Sequence, residues 1–474
     1  MDGVCCAEKS SLESLQWATW HFGQAPLGDL RRSKRLVKLA ACICENPRMS
    51  LPKQLPDWCD LNVAYRFLSN EDIDPQAILA PHKALVRNKA AELPVVLAVQ
   101  DDSSLDFTGR PGTSGLGIIG DGRGQGLLQH ATLAVRPDKQ VLGVLDLSWH
   151  AVAPVLKGET LRQAQNRWNI SDVWPDAALA IGAWPENSQL IHVGDRHADL
   201  FRFMHQAKLL RHEFVVRAMH DRYVDDDTRR LWDKVMAREI LGQMTVSLGT
   251  QRVAGKIKRV GREALLSIRV VPILVPPSCN DPRNHGAKPL NLWAVYALEE
   301  HPPAGIDAVE WMLVTSLEAL TLAQALVILG YYTCRWVIEE WHRCLKEGCR
   351  LEASQLDEAA DIQRLAAVLS VVAVRLLELR DLAGSAQGQS PEALRARVPT
   401  MYIVVVAALA KVAAEQLTAE VFWRTVAKRG GWLGRKHDPR PGWIVLWRAW
   451  TDIVQMVRGA ELFQQISKRG ERCV

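Results

Sequence analysis

No stretch of this chain approaches the roughly 20 consecutive apolar residues that a membrane-spanning helix needs. Its N-terminus also lacks the charged and then apolar regions of a secretory signal, so the expected compartment is the cytoplasm. Cysteine is present ten times but never in C-x-x-C spacing. Cys42 with Cys44, or Cys344 with Cys349, have no recurring His or Cys partners at ligand distance, which favours reduced, mostly buried thiols over zinc. There is no internal repeat and no long polar low-complexity run, so a disordered chain is excluded. A large excess of one charge is missing too: the formal net charge is only +5.

What is present is apolar substance and locally clustered charge. The chain has 474 residues, 48% of them hydrophobic, enough to bury a large core and to divide into two to four domains. Basic residues gather in RRSKRLVK, from Arg31 through Arg32 and Arg35 to Lys38, and again between Arg424 and Arg440. Local patches matter more than the sum when the partner is a polyanion. Five cations within eight residues, with no large apolar moment beside them, favour nucleic acid over a membrane surface.

The first ninety or so residues read as helical. LRRSKRLVKLAACICE follows a Gly28-Asp29 start signal, and a second piece, LNVAYRFLSN, carries Arg66. Near residue 94 the period changes. Val95 to Val99 is a short apolar run ending in Gln100-Asp101-Asp102, a buried strand with a polar exit. Runs at Leu127 to Val135 and Val141 to Trp149 complete an antiparallel meander. Leu190 to Val193 ends in Gly194-Asp195, and Phe214 to Arg217 makes a fifth strand. Residues 222–300 are strand-rich again and read as a β insertion, with runs at Thr245 to Leu248, Leu265 to Val275 and Leu292 to Leu298. Trp311 to Thr315 then leads into helix. From about residue 375 the pattern is helical, with a Trp-rich end at Trp432, Trp443, Trp447 and Trp450. The expected layout is therefore a helical domain at 1–90, an α/β domain with a mixed sheet at 91–375 and a helical domain at 376–474.

In YYTCRWVIEEWHRCLKEG, the residues Tyr332, Arg335, Glu339 and Lys346 fall at steps of three, four and seven. On one continuous helix those steps place the four side chains within about 60° of arc. Glu340 breaks that register, so Glu339 is the acid on the stripe. A carboxylate flanked by two cations and a phenol suits phosphate and metal. Asp101 and Asp195 each leave a strand, and in a sheet whose first and fourth strands are neighbours they would lie side by side, with a nearby helix supplying Glu339. Asp102 rivals Asp101, but adjacent strand residues point to opposite faces. Gathered carboxylates repel unless divalent cations sit among them, and hard oxygen donors suit Mg²⁺ or Mn²⁺, with two ions able to serve both sides of a phosphorus. Arg335 and Lys346 could hold phosphates there, and Tyr332 could donate without adding charge.

On these residues the chain resembles the cut-and-paste DDE transposases of bacterial insertion sequences, the group with the Tyr-Arg-Glu-Lys signature. The matching segments run in order: GDLRRSKRLV, AYRFL, LAVQDDSSL, VGDRHADLF, FVVRAMH, WMLVTS, LAQAL and CRWVIEEWHRCLKEG. The resemblance implies a ribonuclease-H-like core, with Asp101, Asp195 and Glu339 as its metal-binding triad. It implies Tyr332, Arg335 and Lys346 as contacts to the DNA end, Arg217 at the hairpin end, and Trp311 and Trp336 as partners of a flipped base. The N-terminal helices would read terminal inverted repeats, and the C-terminal helices would pair two protomers. Two positions depart from the family pattern: His197 stands where Glu is usual, and Asp102 where Thr is frequent. The rival expectations are a metal-dependent nuclease without strand transfer and an inactive DNA-binding regulator.

Overall fold

A computed structural model describes residues 12–154, 158, 160, 163, 168–225, 229–249, 251–253, 256–278, 281–382, 389–395, 398–435 and 443–470. The chain forms two compact units, neither continuous in sequence: residues 1–86, 104–127 and 340–474 in one, residues 87–103 and 128–339 in the other.

The first unit is mostly helical. Helices α1 (Leu12–Phe22), α2 (Leu30–Glu45), α3 (Trp58–Leu68) and the start of α4 (Pro75–Ala91) carry the N-terminal part. Helix α2 starts where the sequence signals it, with the Asp29 carboxylate accepting the Arg31 N–H at 2.8 Å. Its apolar face, including Leu36, Leu39, Ala40 and Ile43, is buried, and its opposite face leaves Arg31, Lys34 and Arg35 exposed. The cations do therefore stand beside a pronounced apolar face, contrary to the expectation from sequence, but that face is spent on the core, which leaves the cationic side to a partner.

Later segments of the same unit complete that core. The buried Arg364, on the long helix starting at Ala359, donates to the carbonyls of Ile73 at 2.7 Å and Leu68 at 2.8 Å and pairs with Asp361 at 3.0 Å. It thereby satisfies the last carbonyl of α3, which helix geometry leaves open, and a carbonyl of the loop that follows. Near the C-terminus, Trp450 stacks on Tyr402 and Trp423, with ring centroids 5.3 and 5.6 Å apart. This tryptophan is half-buried in that aromatic cluster, while Leu462, Phe463 and Ile466 are exposed on the last helix, Trp443–Gly470. The side chains of Trp443 and Trp447 lie outside the described residues.

The second unit is built on a mixed sheet. Its strands are β1 (Val95–Asp106), β3 (Gly124–Val135), β4 (Val141–His150), β5 (Gln189–Gly194), β6 (Glu213–Arg217), β7 (Gly242–Leu248), β8 (Arg262–Val275), β9 (Leu290–Leu298) and β10 (Glu310–Thr315); the short β2 (Gly117–Ile119) pairs with the start of β3. From one edge the order is β4-β3-β1-β5-β6-β10-β9-β8-β7. β1, β5 and β6 run parallel, and β10 returns antiparallel on β6. The strand-rich segment expected as an insertion thus adds its strands to the same sheet through β10. Helices α5 (Val173–Ile181) and α6 (Phe201–Leu209) contribute Trp174, Phe203 and Met204 to an apolar core with Phe214, Val216, Ala294 and Val314. Burial of such a continuous apolar surface is what fixes strand register, because a one-residue slip would turn the core face outward.

Candidate active site and nucleic-acid face

The register of β1 on β5 places two acids together. The ladder runs from Val95↔Gln189 to Val99↔Val193, and Asp101 and Asp195 each lie two residues beyond its last pair. Gly194 makes the approach possible: a Cβ there would stand 2.4 Å from Ala198 Cβ and 3.0 Å from the Trp174 ring. Asp195 then caps the turn Arg196–Ala198, accepting the His197 N–H at 2.8 Å.

Glu339 comes from a helical segment that is not one helix. Helix α7 (Leu322–Thr333) stops, Arg335 lies in a turn, and α8 (Trp336–Arg343) begins afresh. Across the break the backbone bonds reach back three residues, Arg335 N to Tyr332 O at 3.1 Å and Ile338 N to Arg335 O at 3.2 Å, the tighter 3₁₀ pattern. Lys346 sits in a π-helical turn, Cys344–Gly348. The single helical stripe expected for Tyr332, Arg335, Glu339 and Lys346 is therefore corrected. Backbone hydrogen bonding changes register twice in fifteen residues, which apolar periodicity does not reveal.

The four side chains have different surroundings. Tyr332 is buried, edge-on to Trp311 at 5.6 Å. Arg335 donates to Glu339 at 2.7 Å, lies 3.9 Å from Asp101 and stacks over the exposed Trp336 ring at 4.7 Å. Lys346 donates to the Ser104 carbonyl and pairs with Glu352 at 3.5 Å. Arg217 donates to the Glu310 carbonyl at 2.8 Å. In the N-terminal helices Arg31, Arg35 and Arg66 are exposed, whereas Arg32 is tied to Asp72 at 2.6 Å.

Electrostatics mark Asp101. Burial first, then the neighbouring Asp195, Asp102 and Glu339 carboxylates, push its pKa up to about 7 against the pull of Arg335. Three aspartates and a glutamate thus share one electrostatic neighbourhood, with Arg335 beside two of them, Asp101 and Glu339. The donors are all carboxylate oxygens, the chemistry that fits Mg²⁺ or Mn²⁺. Among the described residues, no three His, Cys, Asp or Glu side chains are already arranged as a ligand set. Arg335 holds Glu339 in an ion pair instead.

Two features escaped the sequence reading. Asp102 and His197, both departures from the family pattern, face each other at 3.5 Å. Burial raises the Asp102 pKa and His197 opposes the rise. Beneath the acids, a buried chain crosses three strands: Gln100 meets His192 at 2.6 Å and His130 at 3.2 Å, and His192 meets His212 at 2.9 Å. Burial depresses both His192 and His212, the latter to about 4, so these imidazoles are neutral at pH 7. The signal was available: Gln or His interrupts the apolar runs VLAVQ, LLQHA and LIHVG, and a polar residue there must find a partner.

Residues 14–73 match the protein family described as transposase DNA-binding. The match covers α2, α3 and their exposed arginines, which supports a transposase with DNA as its partner. Among the described residues, no helix is long and apolar enough to cross a membrane.

Proposed function

We propose that this protein is a cut-and-paste DNA transposase of the DDE type with a ribonuclease-H-like core. In this reading it binds terminal inverted repeats, excises the element by phosphodiester hydrolysis through a hairpin, and joins the freed 3′-OH ends to target DNA. The observation that carries it is Asp101, which feels the Asp195 and Glu339 carboxylates and shares the Arg335 guanidinium with Glu339, in a chain whose N-terminal segment matches a transposase DNA-binding family. The parallel pairing of β1 with β5 supports the core assignment, because it aligns the first two acids side by side just past the last pair of their ladder.

Asp101, Asp195 and Glu339 would be the residues to hold Mg²⁺ or Mn²⁺, whose chemistry there would be to polarise the oxygens on either side of a phosphorus. A cation at this site would compete with Arg335 for the Glu339 carboxylate. The freed guanidinium, already flattened against Trp336, is then available to a phosphate through its planar fork. Lys346 and Arg217 add phosphate contacts, and Tyr332 braces Trp311 as a stacking surface for an unpaired base. Arg31, Arg35 and Arg66 face the repeat, while Arg32, bound to Asp72, orients the helix that presents them. Two copies would pair through the C-terminal helix, where Leu462, Phe463 and Ile466 are exposed. The working compartment would be the cytoplasm, at the nucleoid.

The test supplies an end duplex, Mn²⁺ and plasmid target to the protein and to Glu339→Gln. The expected result is cutting and joining by the parent alone. Equal cutting by both proteins would reject the site, and cutting without joining of a precut 3′-OH end would make the protein a nuclease.

A further inference from the structure

A cavity of about 360 Å³ opens between α6 and the 281–288 segment of the loop joining β8 to β9. Arg202, His205, Arg283, Asn284, His285 and Lys288 supply its polar lining, with Gly286 and Ala287 completing it. None of them belongs to the acid cluster. Its lining residues are mostly long polar side chains, whose apolar stems line the wall while their charged ends supply its chemistry. Its cationic lining disfavours a metal ion.

The charges do not cancel. The nearby acids are Asp172 and Asp281. Asp172, buried and committed to capping its own turn, accepts from Arg202 at 2.6 Å and from Arg283 at 2.8 Å. Asp281 occupies the remaining edge of Arg283 at 2.8 and 3.1 Å. Arg202 is thereby held in place through one amino group. Lys288 has no acid within ion-pair distance among the described residues, and the His205 and His285 rings add further nitrogens. Three permanent cations stand against two acids already in use, so an anion with several oxygens completes the site.

We propose that this pocket binds a backbone phosphate of duplex DNA, at a point separate from the reacting phosphodiester. The inference rests on the transposase reading for its DNA, and it adds a second anchoring place for that DNA. Reach supports it: Arg202 lies seven residues after Asp195, so the two are at most about 25 Å apart. That span corresponds to about seven base steps of a duplex lying across the acids. The cavity is larger than a phosphate alone and accommodates one with its flanking sugar.

The duplex could be the element's own end or the target. The full-length protein, a His285→Gln/Lys288→Gln double variant and Arg202→Gln would be titrated with a labelled end duplex, an unrelated duplex and inorganic phosphate, with the melting temperature recorded for each. The double variant alters exposed side chains, so it tests the site even where Arg202→Gln, which breaks the Asp172 pair, fails to fold. The expected result is five- to tenfold weaker binding of a duplex and a salt dependence shallower by about one charge. Loss on the end duplex alone places the element's end there, and loss on both duplexes places a general DNA track there. Unchanged binding and slope on both duplexes would overturn the proposal. So would melting protection by inorganic phosphate that the variants lose without any change in duplex binding, because that outcome makes the site one for a free anion. A parent protein that never joins DNA would reject the transposase reading and leave this duplex measurement intact.

Discussion

Asp101 makes the most direct test of the site's electrostatics, because its ionised form works against folding. The folded protein lifts this carboxyl from 3.8 to about 7 through burial and neighbouring carboxylates, while the unfolded chain leaves it near the ordinary value. Between about pH 4 and 7 the folded state therefore binds more protons than the unfolded one, and stability falls as pH rises through that window. About three pKa units correspond to roughly 4 kcal/mol at full ionisation, an upper bound that relaxation around the site reduces to about 1–3 kcal/mol. Asp101→Asn keeps the shape and removes the charge. It should raise stability by that amount at pH 8 and by almost nothing at pH 4, where the acid is protonated in the folded protein. Urea denaturation followed by tryptophan fluorescence at the two pH values measures the difference. An equal effect at both pH values, or a loss of stability at pH 8, would refute the claim that Asp101 is held uncomfortably among acids.

Gly194→Ala should destabilise the protein by about 1–3 kcal/mol in the same denaturation assay, since the new Cβ meets Ala198 and Trp174 within 3.0 Å. Arg364→Met should cost about 3–5 kcal/mol by removing a buried cation from two carbonyls and leaving Asp361 unpaired, read out as an earlier urea transition. Arg35→Gln with Arg66→Gln should leave the melting temperature unchanged and make the salt dependence of repeat binding shallower by about two charges; an unchanged slope would remove these arginines from the DNA face.

The order of secondary structure was legible because each long strand is a compact apolar run bounded by polar or turn residues. Val95 to Val99, Leu190 to Val193 and Trp311 to Thr315 all lie inside strands. The three-residue β2 and the ribbon pairing Tyr223–Val224 with Arg229–Arg230 are too short to leave such a signature. The segment from Tyr332 to Lys346 misled for another reason. Its apolar spacing fits a helix throughout, yet the 3₁₀ turn at Arg335 and the π turn at Cys344–Gly348 are set by how that segment packs. The Asp102–His197 pair was hidden because its members are 95 positions apart and neither is unusual alone.

Sequence by itself determined the residue types and their local order: which runs alternate, which helix is basic on one side, and that Asp101 and Asp195 each follow an apolar run, although β1 continues past Asp101 to Asp106. Tertiary structure alone decided who meets whom. The parallel register of β1 on β5 aligns the two aspartates, the break after Thr333 turns Arg335 toward both Asp101 and Glu339, and the Gln100–His192 contact joins the strands beneath. Local patterns follow from short-range sterics and from the period of apolar residues. Convergence depends on the packing of remote segments, which no window along the chain contains.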